Sequence, residues 1–308
     1  MQTSAMDDGS RVRDAPVRRD ARRRVAESQQ FAVAARLLRT RKGVIGTVSL
    51  LAIALVAIAS PLLAPYDPNE LHLDAQLAPP SRTYWFGTDE LGRDILSRVI
   101  FAARPAIQAG LSAVFLAAAI GTLTGLIAGY LGGWIDAVIN RIWDALLAFP
   151  SIFLAIGIVT ILGPGWINAV LAIAIINMPV FSRVVRAATL SAKEKDYTEA
   201  ARAIGCTRWR IIRSHLLPNC VIPAIVLMAI AAPEAILVEA SLSYLGLGTK
   251  LPDPSWGNML SGAQGYLSRS TTYAFFPGLA IVFTVVAMNF FADGLQDAID
   301  PRRARRSG

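Results

Sequence analysis

Six apolar runs, most of them near the ~20 residues a helix needs to cross a bilayer core, constrain this chain more than any other feature. They cover 44–64, 104–130, 143–162, 166–187, 219–242 and 273–292. In lipid every backbone N–H and C=O must be satisfied inside its own segment, so each run is expected to be a helix. The expected fold is an all-α integral membrane protein with six transmembrane helices. Charged residues are 17% of the 308-residue chain, below the roughly 25% of soluble domains. A cleaved leader is the competing reading of the first run, since Ala57-Ile58-Ala59 resembles a peptidase site. The length of such a leader and the five later runs argue against it.

The placement of positive charge predicts orientation. Basic residues from Arg18 to Lys42 precede the first run, Lys193, Lys195, Arg202, Arg208, Arg210 and Arg213 share one internal loop, and Arg302 to Arg306 follow the last run. Flanking Lys and Arg face the cytoplasm. The tails 1–43 and 297–308 are therefore expected to be cytoplasmic, with 30–42 able to lie as a basic helix on the membrane surface. The loops 65–103 and 243–272 then face outward, in a cell-membrane protein with both termini cytoplasmic. Their aromatics Tyr84, Trp85, Phe86, Trp256 and Tyr266 are expected at the membrane–water interface. Asp89, Arg93 and Asp94 are placed to cap and brace a helix entering the second run. The net charge of +8 is accounted for by these flanks, so lipid headgroups are a partner and nucleic acid is not. Cys206 and Cys220 fall on the cytoplasmic side and are expected as free thiols. His72 and His215 lie far apart, with no metal-ligand spacing.

Within the second run, Gly121, Gly125 and Gly129 lie on one helix face and permit close backbone approach. Packing inside this chain is the plainer reading; a seam against another subunit is the sharper one. The segment 188–217 is roughly thirty residues long, far above the usual connector. It contains DYTEAARAIGCTRWRIIRSHLLP (196–218). Asp196 followed by Glu199 is a capping-box pattern that predicts a helix start. Ala200, Ala201 and Ala203 make that helix slim, and Gly205 permits a turn or a close contact. A second helix follows, with Trp209, Ile212 and Leu216 on one face and Pro218 at the start of the fifth run.

EAARAIG with Leu217-Pro218 thirteen residues on resembles the EAA loop of ABC importer permeases. FGTDELGRDILSR (86–98), EASLSYLGLGTKLPDPSWGNML (239–260) and FADGLQDAIDPR (291–302) look like stretches of the C-type permease of the dipeptide/oligopeptide/nickel family. Ala102 stands where that pattern has a glycine. The resemblance implies six transmembrane helices, the first at 44–64 and the rest in a permease core over 104–296, with a coupling loop at 188–218 that docks on a cytoplasmic ATPase. It implies roles in ATPase coupling for Asp196, Tyr197, Glu199, Ala200, Ala201, Gly205, Arg208 and Pro218. Its implied partners are a second homologous permease, one or two P-loop ATPase subunits that carry ATP and Mg, and an extracytoplasmic solute-binding protein. The chain itself has no catalytic residues assigned and binds no cofactor in this reading.

The residues agree with an external motor. No GxxxxGK[ST] is present, and Gly246-Leu247-Gly248-Thr249-Lys250 lacks that spacing. An ion-coupled carrier would place ionisable groups in mid-membrane. Glu234 is one, but Glu239 is about 140° away around a helix. Asn289 and Asp293 share a face, with Asp293 at the boundary. Asn177 beside Pro179, Glu234 after Pro233, and Glu239 are the candidate pore residues. The expected function is a permease subunit of a di- or oligopeptide importer. A nickel or small-solute permease, an ion-gradient carrier and a non-transporting scaffold are the alternatives.

Overall fold

A computed structural model describes residues 35–299. Most of both basic tails, and the start of the surface helix expected at 30–42, lie outside the described residues. The helices are α1 Arg41–Ile58, α2 Ser60–Leu63, α3 Ile95–Leu131, α4 Gly133–Leu147, α5 Ser151–Leu162, α6 Trp166–Lys193, α7 Asp196–Ala203, α8 Arg208–Ile211, α9 Leu217–Tyr244, α10 Trp256–Ala263 and α11 Thr271–Ile299. Among the described residues there is no strand, only one isolated bridge between Thr88 and Asp94. Five helices, or six counting one bent pair, are long and apolar enough to cross a membrane.

Contacts between helix ends give the order in which these helices run up and down the bundle. The end of α1 meets the start of α3, where Arg104 donates to the carbonyls of Ala57 and Ile58 at 2.6 and 2.9 Å. The start of α6 also meets the start of α3, through Trp166 Nε1 donating to the Pro105 carbonyl at 3.2 Å. The ends of α3 and α6 meet through Lys193 Nζ and the Tyr130 carbonyl at 2.9 Å. The chain between α3 and α6 must therefore cross back. Lys42 of α1 pairs with Asp293 of α11 at 2.8 Å. Both described ends of the chain thus lie at the same end of the bundle as 188–217.

The crossing made by 133–162 corrects the single straight helix expected at 143–162. It is a broken pair, α4 and α5, bent by 93°. Pro150 explains the break: its ring disfavours the helical conformation at Phe149 and offers no N–H to Leu146. α5 has 12 residues, about 18 Å of helix, too short to cross alone. α4 is amphipathic, with Trp134, Val138 and Ile142 exposed. Its other face carries Asp136, which accepts from Arg186 Nε and Nη2 at 2.5 Å each, and Asp144, which accepts from Arg183 at 2.6 Å. α3 starts at Ile95 instead of 104, because Asp94 caps it by accepting from Ser97 N at 2.8 Å. The first crossing ends at Ile58, where the chain breaks before the four-residue α2 carrying Pro61.

The centre of the bundle is the α3–α6 contact. Ala109, Ala113 and Ala117 of α3 are fully buried, and Gly121, Gly125 and Gly129 continue their four-residue spacing. A Cβ on Gly125 would stand 2.5 Å from the Ser182 carbonyl, and one on Gly129 2.8 Å from Thr189 Cβ. The glycines bring the α3 backbone directly against the backbone of α6 and the Cβ atoms of Phe181, Val185 and Thr189, the close approach that small residues allow in membranes. Thr124 Oγ1 donates to Ser182 Oγ across the seam at 3.1 Å. Large apolar residues face outward instead: Val48, Leu51, Leu55, Phe115, Leu123, Phe275, Val282 and Phe283 are exposed, as lipid contact requires.

At the bundle end opposite 188–217, the FGTDELGRDILSR stretch folds into a buried charged network. Asp89 accepts from the N–H groups of Leu91 and Arg93 at 2.9 Å and from Arg93 Nε at 2.6 Å. Arg98 is 1% exposed, with Nε 3.6 Å from Asp89 and Nη1 donating to the Pro68 carbonyl at 2.8 Å. Of the aromatics at this end, Trp256 is buried and Tyr84, Phe86 and Tyr266 are half-buried. Trp256 donates to the Val99 carbonyl at 3.0 Å, and Phe86 stacks on Phe276 with ring centroids 3.6 Å apart. Trp85 is exposed as the interface reading expected.

Candidate functional site

The loop between α6 and α9 is almost wholly helical. Thr198 Oγ1 donates to the Ala192 carbonyl at 2.8 Å, holding α7 against the end of α6. The capping box expected from Asp196 and Glu199 does not form. Lys195 is the N-cap, with no side-chain cap bond, and both acids sit in the first turn. There their charge favours the positive end of the helix dipole. Gly205 adopts φ +77°, and a Cβ there would meet nothing within 4 Å. Its need is for the turn, not for close contact. The Cys206 N–H closes that turn on the Ala201 carbonyl at 3.0 Å, as in a Schellman ending.

α7 has two faces. Thr198 and Ala201 are buried against the bundle, while Asp196, Tyr197, Glu199, Ala200 and Ile204 are exposed. Tyr197, Ala200 and Ile204 fall at helical spacing, and Ala200 leaves a shallow place between two larger side chains. Arg208 and Pro218 are exposed as well. The second helix departs from expectation. Thr207 caps α8, and residues Ile212–Leu216 form a π turn before α9. The extra residue moves the buried face to Ile211, Leu216 and Cys220 and leaves Trp209 64% exposed. The physical cause is Pro218. It has no N–H for the Ser214 carbonyl, and its ring would crowd that carbonyl in an α-helix. A wider turn relieves the conflict, and Leu217 N–H bonds the Ile212 carbonyl instead. Cys206 and Cys220 are both free thiols.

The three candidate pore residues separate. Asn177 is half-buried and donates to the Ile173 carbonyl of its own helix at 2.8 Å. Glu234 is exposed on α9, in the middle of a run of buried neighbours. Glu239 is enclosed by its own chain. It is 1% exposed and accepts from Ser243 Oγ at 2.7 Å, and Ser243 Oγ in turn accepts from Thr249 N at 3.1 Å. It ties α9 to the loop after it, because Ser243 is one turn on from Glu239. Sequence reasoning missed the Asp136–Arg186 and Asp144–Arg183 pairs. Their signal was present in Asp136, Asn140 and Asp144, spaced by four, opposite Trp134, Val138 and Ile142. Among the described residues there is no group of three or more His, Cys, Asp or Glu able to hold a metal.

Five or six candidate crossings with a helical loop projecting from one end form the architecture of a membrane permease subunit. A family model described as binding-protein-dependent transport system inner membrane component matches residues 121–305, and one described as the N-terminal TM domain of oligopeptide transport permease C matches 30–80. The chain is 44% identical over 266 residues to the dipeptide transport system permease protein DppC of Alkalihalophilus pseudofirmus, covering 86% of this chain and 88% of the relative. It is 43% identical over 248 residues to the probable D,D-dipeptide transport system permease protein DdpC of Escherichia coli, covering 80% and 83%. It is 42% identical over 268 residues to the glutathione transport system permease protein GsiD of Pectobacterium atrosepticum, covering 87% and 89%. A solved structure of the MetNI methionine ABC transporter, in inward-facing conformations, matches with TM-score 0.55 and 18% identity over 67% of this chain and 98% of that one. That last likeness concerns the fold. The chain belongs to the binding-protein-dependent transport system inner membrane component family. It is a multi-pass membrane permease subunit of the ABC importer type, a transport component and not a catalytic enzyme.

Proposed function

We propose that this chain forms half of the pore of an ATP-driven, binding-protein-dependent importer of di- or oligopeptides. The observation that carries the reading is likeness over four-fifths or more of the chain to permeases named for dipeptides and for glutathione, itself a peptide. A second homologous permease completes the pore. One or two P-loop ATPases supply ATP and Mg, and a solute-binding protein delivers substrate at the outer end. The bundle end bearing 188–217 is cytoplasmic, in keeping with its lysines and arginines, and both termini lie on that side.

The exposed face of α7, with Asp196, Tyr197, Glu199, Ala200 and Ile204 beside Trp209 and Arg208, is where the ATPase docks. Ala201, Gly205 and Pro218 serve the same coupling from below, by seating and ending the helices. Glu234 faces the shared pore. An ionised carboxylate directed into lipid is costly, by about 3 kcal/mol on insertion scales, whereas a water-filled path between two permeases removes that cost. Asn177 on α6 lines the same path. The exposed apolar face of α4 and α5, including Trp134, Ile142 and Phe153, meets the second permease.

The test is purification of the tagged chain from its own membranes with identification of what stays bound. Recovery of a P-loop ATPase and a second permease is expected, with the ATPase lost on Glu199→Lys. A lone chain or homodimer that drives uptake from an ion gradient after reconstitution would overturn the reading. Glu234→Gln is expected to lower peptide uptake several-fold with the complex intact; wild-type uptake would remove Glu234 from the path.

A further inference from the structure

Beside the docking face, α7 and α8 close over a pocket of about 360 Å³ whose polar lining is Tyr130, Lys193, Arg202, Cys206 and Arg208. Leu131 and Ile211 form its apolar wall. Lys193 Nζ and the Arg202 guanidinium each lie 5.9 Å from the centroid of the Tyr130 ring, so one neutral ring holds two cations. Arg208 is the third. Among the described residues no carboxylate lines the pocket, and none pairs with any of the three. Three like charges around one cavity repel, and a bound anion is what relieves that repulsion.

We propose that this pocket binds the phosphate of an anionic phospholipid headgroup. Its position favours lipid over other anions. Tyr130 and Leu131 end α3 and Lys193 ends α6, so the pocket opens where two crossings leave the membrane. Basic pockets between such helix ends on the cytoplasmic side are headgroup sites. Leu131 and Ile211 offer the glycerol and upper acyl chain a dry surface. Arg202 follows Thr198 by one turn and so points toward the bundle, away from Tyr197, Ala200 and Ile204 on the docking face. The lipid would join the ends of α3 and α6 to the coupling helices through one phosphate, holding the loop in place.

Cys206 reports occupancy, because it lines the pocket while Cys220 is fully buried. The complex carrying this chain is placed in nanodiscs of phosphatidylcholine, alone or mixed with phosphatidylglycerol. Maleimide labelling is then followed on the peptide containing Cys206. Labelling is expected to slow about tenfold with phosphatidylglycerol, as mass action gives when lipid exceeds its dissociation constant about tenfold. Inorganic phosphate added to phosphatidylcholine discs leaves the rate unchanged. In Lys193→Gln/Arg202→Gln the lipid dependence disappears, and the wild-type comparison stands alone if that variant fails to assemble. Equal wild-type rates in the two lipids overturn the proposal. So does slowing by inorganic phosphate alone, which would make the site one for free anions. Slowing that follows the presence of the ATPase instead of the lipid would assign the pocket to a protein contact.

Discussion

Asp89 and Arg98 are a charged pair almost wholly removed from solvent. Asp89 is fully enclosed and depends on Arg93 and Arg98 for its countercharge. Truncating Arg98 leaves Asp89 with Arg93 alone and strips the Pro68 carbonyl of its buried donor, at a cost of about 1–3 kcal/mol per unmet group. It also empties the space of a large buried side chain. Arg98→Ala is therefore expected to lower the thermal transition of the purified complex by many degrees. A transition within about 1 °C of wild type would show that the network holds nothing. Other single residues read differently once their surroundings are visible. Glu234 and Glu239 look alike in sequence, each a carboxylate in an apolar run. Only the exposure of one and the Ser243 bond of the other separate them. Gly205 was legible as special, but its reason, a left-handed turn in open space, is a matter of backbone angle.

At the scale of elements, apolar length located every crossing, because lipid leaves the backbone no alternative to helix. It failed where polarity and helicity part company. α3 begins nine residues before its apolar run, since a helix capped by Asp94 tolerates Ser97 and Arg98 when both are bonded. The bend between α4 and α5 was written in Pro150 yet hidden by the continuous hydrophobicity of 145–149 around it. The π turn was not legible at all. A 3.6-residue period predicts Trp209 with Ile212 and Leu216, and only the conflict with Pro218 shifts the face by one residue. The α3–α6 seam was legible in its spacing, and its partner was not. Here Gly125→Leu is expected to disrupt folding more than Gly125→Ala, each measured by yield and melting of the complex. Even one Cβ falls 2.5 Å from the Ser182 carbonyl, and overpacking costs about 1–3 kcal/mol or more. Equal stability of Gly125→Leu and wild type would mean that the helices do not meet there.

For the whole molecule, the two halves of the broken crossing are held differently: α5 buries Ala155 and Val159 in the core, whereas α4 relies on ion pairs. None of the described residues of α4 is buried, and Asp136–Arg186 is its best-formed tether to α6. A bidentate pair of this kind, partly exposed, has a coupling energy of about 1 kcal/mol. A double-mutant cycle of Asp136→Ala and Arg186→Ala on complex stability is expected to show that coupling, and additive losses would show that the two do not interact. The architecture also sets how displacement passes through the protein. α6 has 28 residues, about 42 Å of helix, and runs from Trp166 at one end of the bundle to Lys193 beside α7. Soft materials need a compliant layer, and interleaved long side chains are that layer in most helix pairs. Between Gly121 and Gly129 that layer is thin, with Phe181, Val185 and Thr189 of α6 set directly on the α3 glycines, which leaves the two helices little room to move independently. A shift of either helix along this seam is therefore expected to carry the other with it, from the Lys193 end toward Trp166.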